Sequence, residues 1–333
     1  MLLAGDIGGT KTTLALFDSE HGPRSPLEEQ IFPSGDYGKL EDIIVEFLAP
    51  KDVSVGRAVF GVAGPVVDGR AAITNLPWTL DEKELARVLR VDAVHLLNDL
   101  QAIAYGISLL QGGDLETLNL GSPDPQGVIA VIAPGTGLGE SFVCRDGSDY
   151  RAYPSEGGHT DFAPSTAQEV ELLRFLQTKM EHVSYERVCS GMGIPNIYQF
   201  LKETGGAEEP PWLREKLSSA DDPTPIIVNA ALDAEDPCEI CQTALFLFVS
   251  ILGAEAGNLA LKVLATGGVY LAGGMPPRIL PVLKDGRFMN AFTNKGRLSG
   301  LLTRVPVHVI LAPAIALMGA ASYGMEAARR QQG

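Results

Sequence analysis

One pattern, written twice, constrains this 333-residue chain more than any other. An apolar strand runs into a tight turn of glycine and threonine, and a second strand runs back. At the N-terminus Leu2-Leu3-Ala4 leads into Asp6-Ile7-Gly8-Gly9-Thr10-Lys11, and the β-branched, apolar residues 12–17 follow. Later, residues 128–133 lead into Pro134-Gly135-Thr136-Gly137-Leu138-Gly139, with residues 140–144 as the returning strand. A third glycine-rich strand end stands at Gly267-Gly268-Val269-Tyr270-Leu271-Ala272-Gly273-Gly274. A dinucleotide-binding loop opens a helix after its glycines, and this first turn opens a strand. A P-loop needs glycine before its lysine, and Lys11 follows Thr10. The two commonest phosphate motifs are therefore absent at this turn. Each hairpin taken singly reads as well as a plain β-turn. Two of them together with the Ala272-Gly273-Gly274 end make a phosphate clamp, because glycine turns aim backbone N–H groups at one point and leave room for an anion.

Around these hairpins the chain alternates helix and strand. Residues 40–48 and 81–89 read as helices, the second with Asp81 as N-cap. Residues 57–62 and 91–97 read as strands. Asn98 and Asp99 then stand between a strand and a helix over 100–110, at the carboxyl end of a strand, where open α/β sheets bind ligands. Both residues are good caps, and Asp99 is also a carboxylate able to accept a hydroxyl proton; the two roles can coexist. Residues 74–78 read as a loop, 204–225 as a surface loop rich in glycine, proline and acid, 305–312 as a strand and 314–330 as a closing helix. The repeated hairpin suggests two domains on related cores.

Charge narrows the function classes. The chain holds 26 Lys and Arg against 41 Asp and Glu, a net charge of −15, and no basic patch, so nucleic acid and anionic lipid are not expected partners. No secretory signal is read at Met1-Leu2-Leu3-Ala4. The apolar stretches 244–252 and 305–321 are read as short of the ~18 residues of a membrane span. Four cysteines are ordinary for a reduced, cytoplasmic protein. Cys238-Glu239-Ile240-Cys241 has no second ligand pair for zinc and is read as two thiols on one helix face. In Glu156-Gly157-Gly158-His159, two glycines permit a sharp turn that lets Glu156 and His159 reach one small polar ligand, with Asp161 placed to orient His159.

These strings, in this order, resemble those of the bacterial ATP-dependent glucokinases, sugar kinases of the actin–hexokinase–Hsp70 ATPase superfamily. Asp6-Ile7-Gly8-Gly9-Thr10 resembles the first phosphate loop, Pro134–Gly139 the second, and Leu271-Ala272-Gly273-Gly274 the adenosine-side motif. Leu97-Asn98-Asp99 resembles the segment carrying the catalytic base. Glu156 to Pro164 resembles the sugar-binding signature, and Ser184-Tyr185-Glu186-Arg187-Val188-Cys189-Ser190-Gly191 the segment whose glutamate holds the sugar. The chain departs from the pattern at Lys11, where the proteobacterial enzymes usually carry Asn, and at Glu140, where a small or apolar residue is usual. The cysteine-rich zinc signature of the related ROK kinases is absent.

The resemblance implies an α/β fold of the two-domain actin-like ATPase type (ribonuclease H-like), with a mixed sheet in each domain and an interdomain cleft. Residues 1–103 with 313–333 would form the smaller domain and 104–312 the larger. It implies glucose phosphorylation at O6 from MgATP, giving glucose 6-phosphate and ADP, with another hexose (fructose, mannose or N-acetylmannosamine) as the alternative substrate. Asp99 would be the general base. Asn75, Asn98, Glu156, His159 and Glu186 would hold the sugar with it. Gly8, Gly9, Thr10, Lys11, Gly135, Thr136, Gly137, Gly273 and Gly274 would line the nucleotide, and Asp6 would position Mg²⁺ through water. A cytoplasmic homodimer is the family-based expectation. A sugar-sensing repressor is not expected, because the first loop already begins at Asp6.

Overall fold

The computed structural model describes residues 1–73, 75–147 and 149–332, so Thr74 of the expected 74–78 loop lies outside the described residues. The chain divides into two compact units: Met1–Gly112 with Asp146–Pro154 and Ala312–Gly333, and Gly113–Arg145 with Ser155–Leu311.

The first unit is built on a five-stranded mixed sheet. Its strands β1 (Leu2–Ile7), β2 (Lys11–Phe17), β3 (Glu28–Pro33) and β4 (Arg57–Val62) precede a small three-stranded sheet of β5 (Val66–Val67), β6 (Arg70–Ala72) and β7 (Thr79–Asp81); β8 (Ala93–Asn98) completes the large one. The order is β3-β2-β1-β4-β8. The glycine–threonine turn makes β1 and β2 an antiparallel hairpin, whereas β4 and β8 lie parallel to β1. β1 and β4 are buried almost throughout, as strands covered on both faces must be, and accordingly read as apolar runs without alternation. The helix Leu40–Leu48 buries Leu40, Ile43, Ile44 and Phe47, one stripe at helical spacing. The helix Glu82–Leu89 starts where expected, because the Asp81 carboxylate accepts from the N–H groups of Lys83 and Glu84. Two further helices, Asp99–Gly106 and Ile315–Gln332, pack against each other in this unit.

The second unit repeats that pairing pattern. Its strands are β9 (Leu115–Asn119), β10 (Ile129–Pro134) and β11 (Leu138–Asp146); β12 (Asp149–Ser155) falls almost wholly in the first unit; then come β13 (Gly268–Leu271) and β14 (Val307–Ile310). β10 forms an antiparallel hairpin with β11 and pairs parallel with β13, which pairs parallel with β14; β9 closes the far edge antiparallel. Hairpin, then two parallel strands, is the arrangement of β2, β1, β4 and β8 in the first unit. The α/β class with a mixed sheet in each unit is thus as expected.

The structure corrects three local expectations. Residues 204–225 are not all loop: Pro211–Ser218 is a helix with proline at its first position, where a missing N–H costs nothing. It is anchored by the buried Glu209, which accepts from Tyr198 Oη, Lys202 Nζ and Arg214 Nε at 2.8 Å each. The apolar run at 244–252 is part of a 25-residue helix, Glu239–Val263, long and apolar enough by composition to cross a membrane, with 78% of its most apolar window buried inside the protein. It is the central helix of this unit's core. Asp161 does not orient His159: its carboxylate pairs with His182 Nε2 at 3.0 Å. Cys238 caps that long helix and Cys241 lies in its first turn, both buried and free. Burial and the neighbouring Cys238 raise the Cys241 thiol further above its ordinary range.

Candidate active site

In the first unit the sheet carries two carboxylates to one edge. Asp6 pairs across to Gly61 of β4, and the next pair along the sheet aligns Val62 with Asn98, one residue before Asp99. Asn98 is the N-cap of the helix Asp99–Gly106. Its Oδ1 accepts from Leu100 N at 3.0 Å, its Nδ2 donates to Gly64 O at 3.0 Å, and Gln101 Oε1 accepts from Asn98 N, completing a capping box. Asp99, the first helical residue, also accepts from Leu100 N, at 2.9 Å. The cap and the carboxylate are therefore separate residues, which leaves Asp99 available for chemistry. Burial raises its pKa to about 6, the Leu100 hydrogen bond opposes that, and the charge of Asp6 adds to it. A base poised near neutrality suits proton abstraction. Burial also raises Asp6, against the lowering effect of Lys11.

The first glycine–threonine turn is held by a residue that sequence reasoning missed. Gly8 N donates to Lys11 O at 3.0 Å, closing the turn, while Ser34 Oγ donates to Gly8 O at 2.8 Å and Ser34 N to Thr10 O at 3.0 Å. Gly8 and Gly9 are partly exposed, and Thr10 and Lys11 are exposed. Asn75 is exposed with φ 65°, a left-handed conformation that asparagine tolerates.

In the second unit Glu156, His159 and Glu186 come together. His159 Nε2 lies 4.0 Å from Glu156 Oε2, and His159 Nδ1 lies 4.0 Å from Glu186 Oε1. Glu156 and His159 are more than half exposed, whereas Glu186 is only 15% exposed. Glu186 Oε2 also accepts from Leu138 N at 3.0 Å, which ties this glutamate to the second glycine–threonine turn. That turn is closed by Gly135 N donating to Gly137 O, and Gly191 N donates to Gly135 O at 2.7 Å. Gly135, Thr136 and Gly274 line one cavity of about 670 Å³. Gly137 and Gly273 belong to the turns that bound it but do not line it. Gly191, Asp221, Asp222, Asn229, Met275 and Arg278 share its wall, and the sequence reading named none of them for this role. Asp221 and Asp222 had been absorbed into a loop read by composition. Only the fold brings that segment beside the turn. The volume is within the ~300–1,000 Å³ of small-molecule sites.

The sequence matches the Glucokinase family over residues 3–327. The chain belongs to the glucokinase family. A glucokinase of Nostoc punctiforme is 43% identical over 96% of this chain and 98% of its own. That of Colwellia psychrerythraea is 35% identical over 96% and 95%. Among solved structures, a glucokinase from an Antarctic psychrotroph superposes with a TM-score of 0.82 at 32% identity, covering 98% of each chain. A ROK family glucokinase from Streptomyces griseus, solved with glucose and AMPPNP, has a TM-score of 0.63 at 20% identity and shares the fold. Membership agrees with the recurrence of hairpin and parallel strands in both units, the arrangement expected of an actin-like ATPase.

Proposed function

We propose that the chain transfers the γ-phosphoryl group of ATP to the O6 hydroxyl of glucose, with Asp99 as the base. The chain is an ATP-dependent glucokinase, and the observation that carries the reading is Asp99: a partly buried carboxylate, raised to about 6, at the helix start beside Asp6. Asp99 takes the proton from the glucose O6 hydroxyl as O6 bonds to the γ-phosphorus. The bond from that phosphorus to the bridging oxygen breaks, and ADP leaves. Glu156, His159 and Glu186 hold other hydroxyls, a reading supported by their mutual approach and by the bond from Leu138 N to Glu186. Asn98 orients the helix start and Asn75 is a further sugar contact by resemblance.

By resemblance, Gly8, Gly9, Thr10, Lys11, Gly135, Thr136, Gly137, Gly273 and Gly274 line the nucleotide. The cavity beside Thr136 and Gly274 takes the adenosine. Asp6 fits a role toward Mg²⁺: a carboxylate whose ionised form is destabilised by burial is relieved by a cation. The ion, bound with ATP, supplies charge neutralisation, and positioning supplies the rest of such catalysis. Four free cysteines suit work in a reducing cytoplasm, and the resemblance adds a homodimer.

A coupled assay over glucose, fructose, mannose and N-acetylmannosamine, with ATP, ADP and polyphosphate as donors, tests the reading. Glucose with ATP is expected to lead by orders of magnitude in kcat/KM, because a moved hydroxyl leaves a buried partner unpaired. Equal turnover of another hexose would displace glucose as the substrate.

A further inference from the structure

Beneath the Glu156–His159 turn lies a second pair of carboxyl groups that the reaction does not use. Glu140 points inward from β11 and Glu255 stands on the long helix; each is buried, at 2% and 0% exposure. The Glu140 carboxyl lies close enough to Glu255 to feel its charge, and its Oε1 is fully buried without a hydrogen-bond partner among the described residues. Its other oxygen lies directly under Gly157, close enough that a Cβ there would collide with it. The turn carrying two of the three sugar residues therefore rests on this carboxyl. Around the pair, Lys262 Nζ contacts Glu255 Oε1 at 3.1 Å, and Asn258 Nδ2 donates to Glu255 Oε2 and to Tyr185 Oη at 2.9 Å each. Lys295 Nζ reaches Asn258 Oδ1 at 2.6 Å, and Cys189 is buried close by. Tyr185 is the residue before Glu186, so the same network also abuts the third sugar residue.

Glu255 thus has cationic and amide donors, whereas Glu140 faces another carboxyl with its own Oε1 unpartnered among the described residues. Two adjacent buried carboxylates cannot both ionise cheaply, so one proton is retained and shared. We propose that Glu140 is a positioning residue for glucose, holding the Glu156–His159 turn through a carboxyl that must keep its proton. The proposal rests on the sugar-site reading above. Burial, reinforced by Glu255 and opposed by Lys262, raises Glu140 to about 8. When that proton is lost, repulsion from Glu255 presses Glu140 away from the helix and into the turn. Glucose affinity then falls while the phosphoryl-transfer groups are untouched.

The test is the glucose KM of the full-length enzyme between about pH 7 and about pH 9.5, at saturating MgATP. In the parent, KM is expected to rise above about pH 8, by at most about tenfold per pH unit for one proton, with kcat flat. Glu140→Gln keeps the shape without the ionisation and should remove the rise. Glu255→Gln, whose amide can donate to an ionised Glu140, should flatten it as well, and serves if Glu140→Gln fails to fold. His159→Ala is the control for the sugar site. If His159→Ala leaves glucose KM unchanged, the sugar-site reading falls, and the positioning role with it. If His159→Ala raises KM but the parent's alkaline rise is absent, or survives in both Gln variants, the positioning role falls alone. Melting curves over the same range give a separate readout: variants that flatten the pH dependence of melting but not of KM would reduce the pair to a structural one and overturn the proposal.

Discussion

Asp99 shows why neighbouring polar residues at a helix start must be separated by role. Asn98 accepts from Leu100 N, which Asp99 also caps, and ties itself to Gly64, so a cap remains at the helix start when Asp99 is changed. Asp99→Asn should therefore lower kcat by ~10²–10⁴-fold while leaving the helix and glucose binding in place. Turnover above about a tenth of the parent's would make Asp99 a second cap and not the base. The pH dependence has a definite sign. A base must be deprotonated, so kcat should fall as pH drops through about 6, and this limb should vanish in Asp99→Asn. Stability runs the other way. Because burial raises Asp99 in the folded chain, the folded state holds the proton more tightly. That contribution is complete below the unfolded value of 3.8 and is lost as pH rises through about 6. A single carboxyl thus trades stability for activity across the same window. Asn98-Asp99 was legible in the sequence as a strand-to-helix pair, but which member caps was decided only by the backbone geometry. The Glu140–Glu255 pair was not legible at all, because nothing local relates a strand residue to a helix residue far along the chain.

At the scale of elements, the hairpins were legible because turn chemistry is local: Gly8, Gly9 and Thr10 announce a tight turn wherever they stand. The β3 strand and the helix Pro211–Ser218 were not, since one is a largely exposed edge strand and the other is wrapped in prolines and acids. The closing helix Ile315–Gln332 was found from its apolar content, but its purpose emerges only from packing. Gly319 lies where any Cβ would run into the backbone carbonyl of Ala102, so this helix can press on the helix that begins with Asp99 only because residue 319 has no side chain. Gly319→Ala should push the two helices apart, at a cost of ~1–3 kcal/mol for an overpacked contact. Thermal unfolding would register the loss. Because the displaced helix carries Asp99, the proposed base, kcat should drop more than the ATP KM rises. A variant with unchanged melting temperature and kcat would show that the contact relaxes without consequence.

For the whole molecule, the family was legible because six short strings occur in one order, and order along 333 residues is harder to imitate than any one string. The wall of the 670 Å³ cavity was not, because Gly191, Asp221 and Arg278 reach it from three separate stretches of chain. Each unit carries its own buried core, so ligand binding need not create the fold and instead adds to it by mass action. A ligand at about 100 times its Kd stabilises the native chain by ~2.7 kcal/mol. For units of roughly 150–250 residues that corresponds to a rise of several degrees in melting temperature. Glucose should produce this rise, and galactose at the same concentration should not, because its displaced hydroxyl loses a buried partner. The rise should persist in Asp99→Asn, where binding survives without turnover, and shrink in Glu186→Gln, where a sugar contact weakens. ATP without glucose should give its own increment through the second-unit cavity. If saturating glucose left the melting temperature of the parent unchanged while galactose did the same, Glu156, His159 and Glu186 would have no claim on the sugar, and the grouping of those three side chains would need another ligand to explain it.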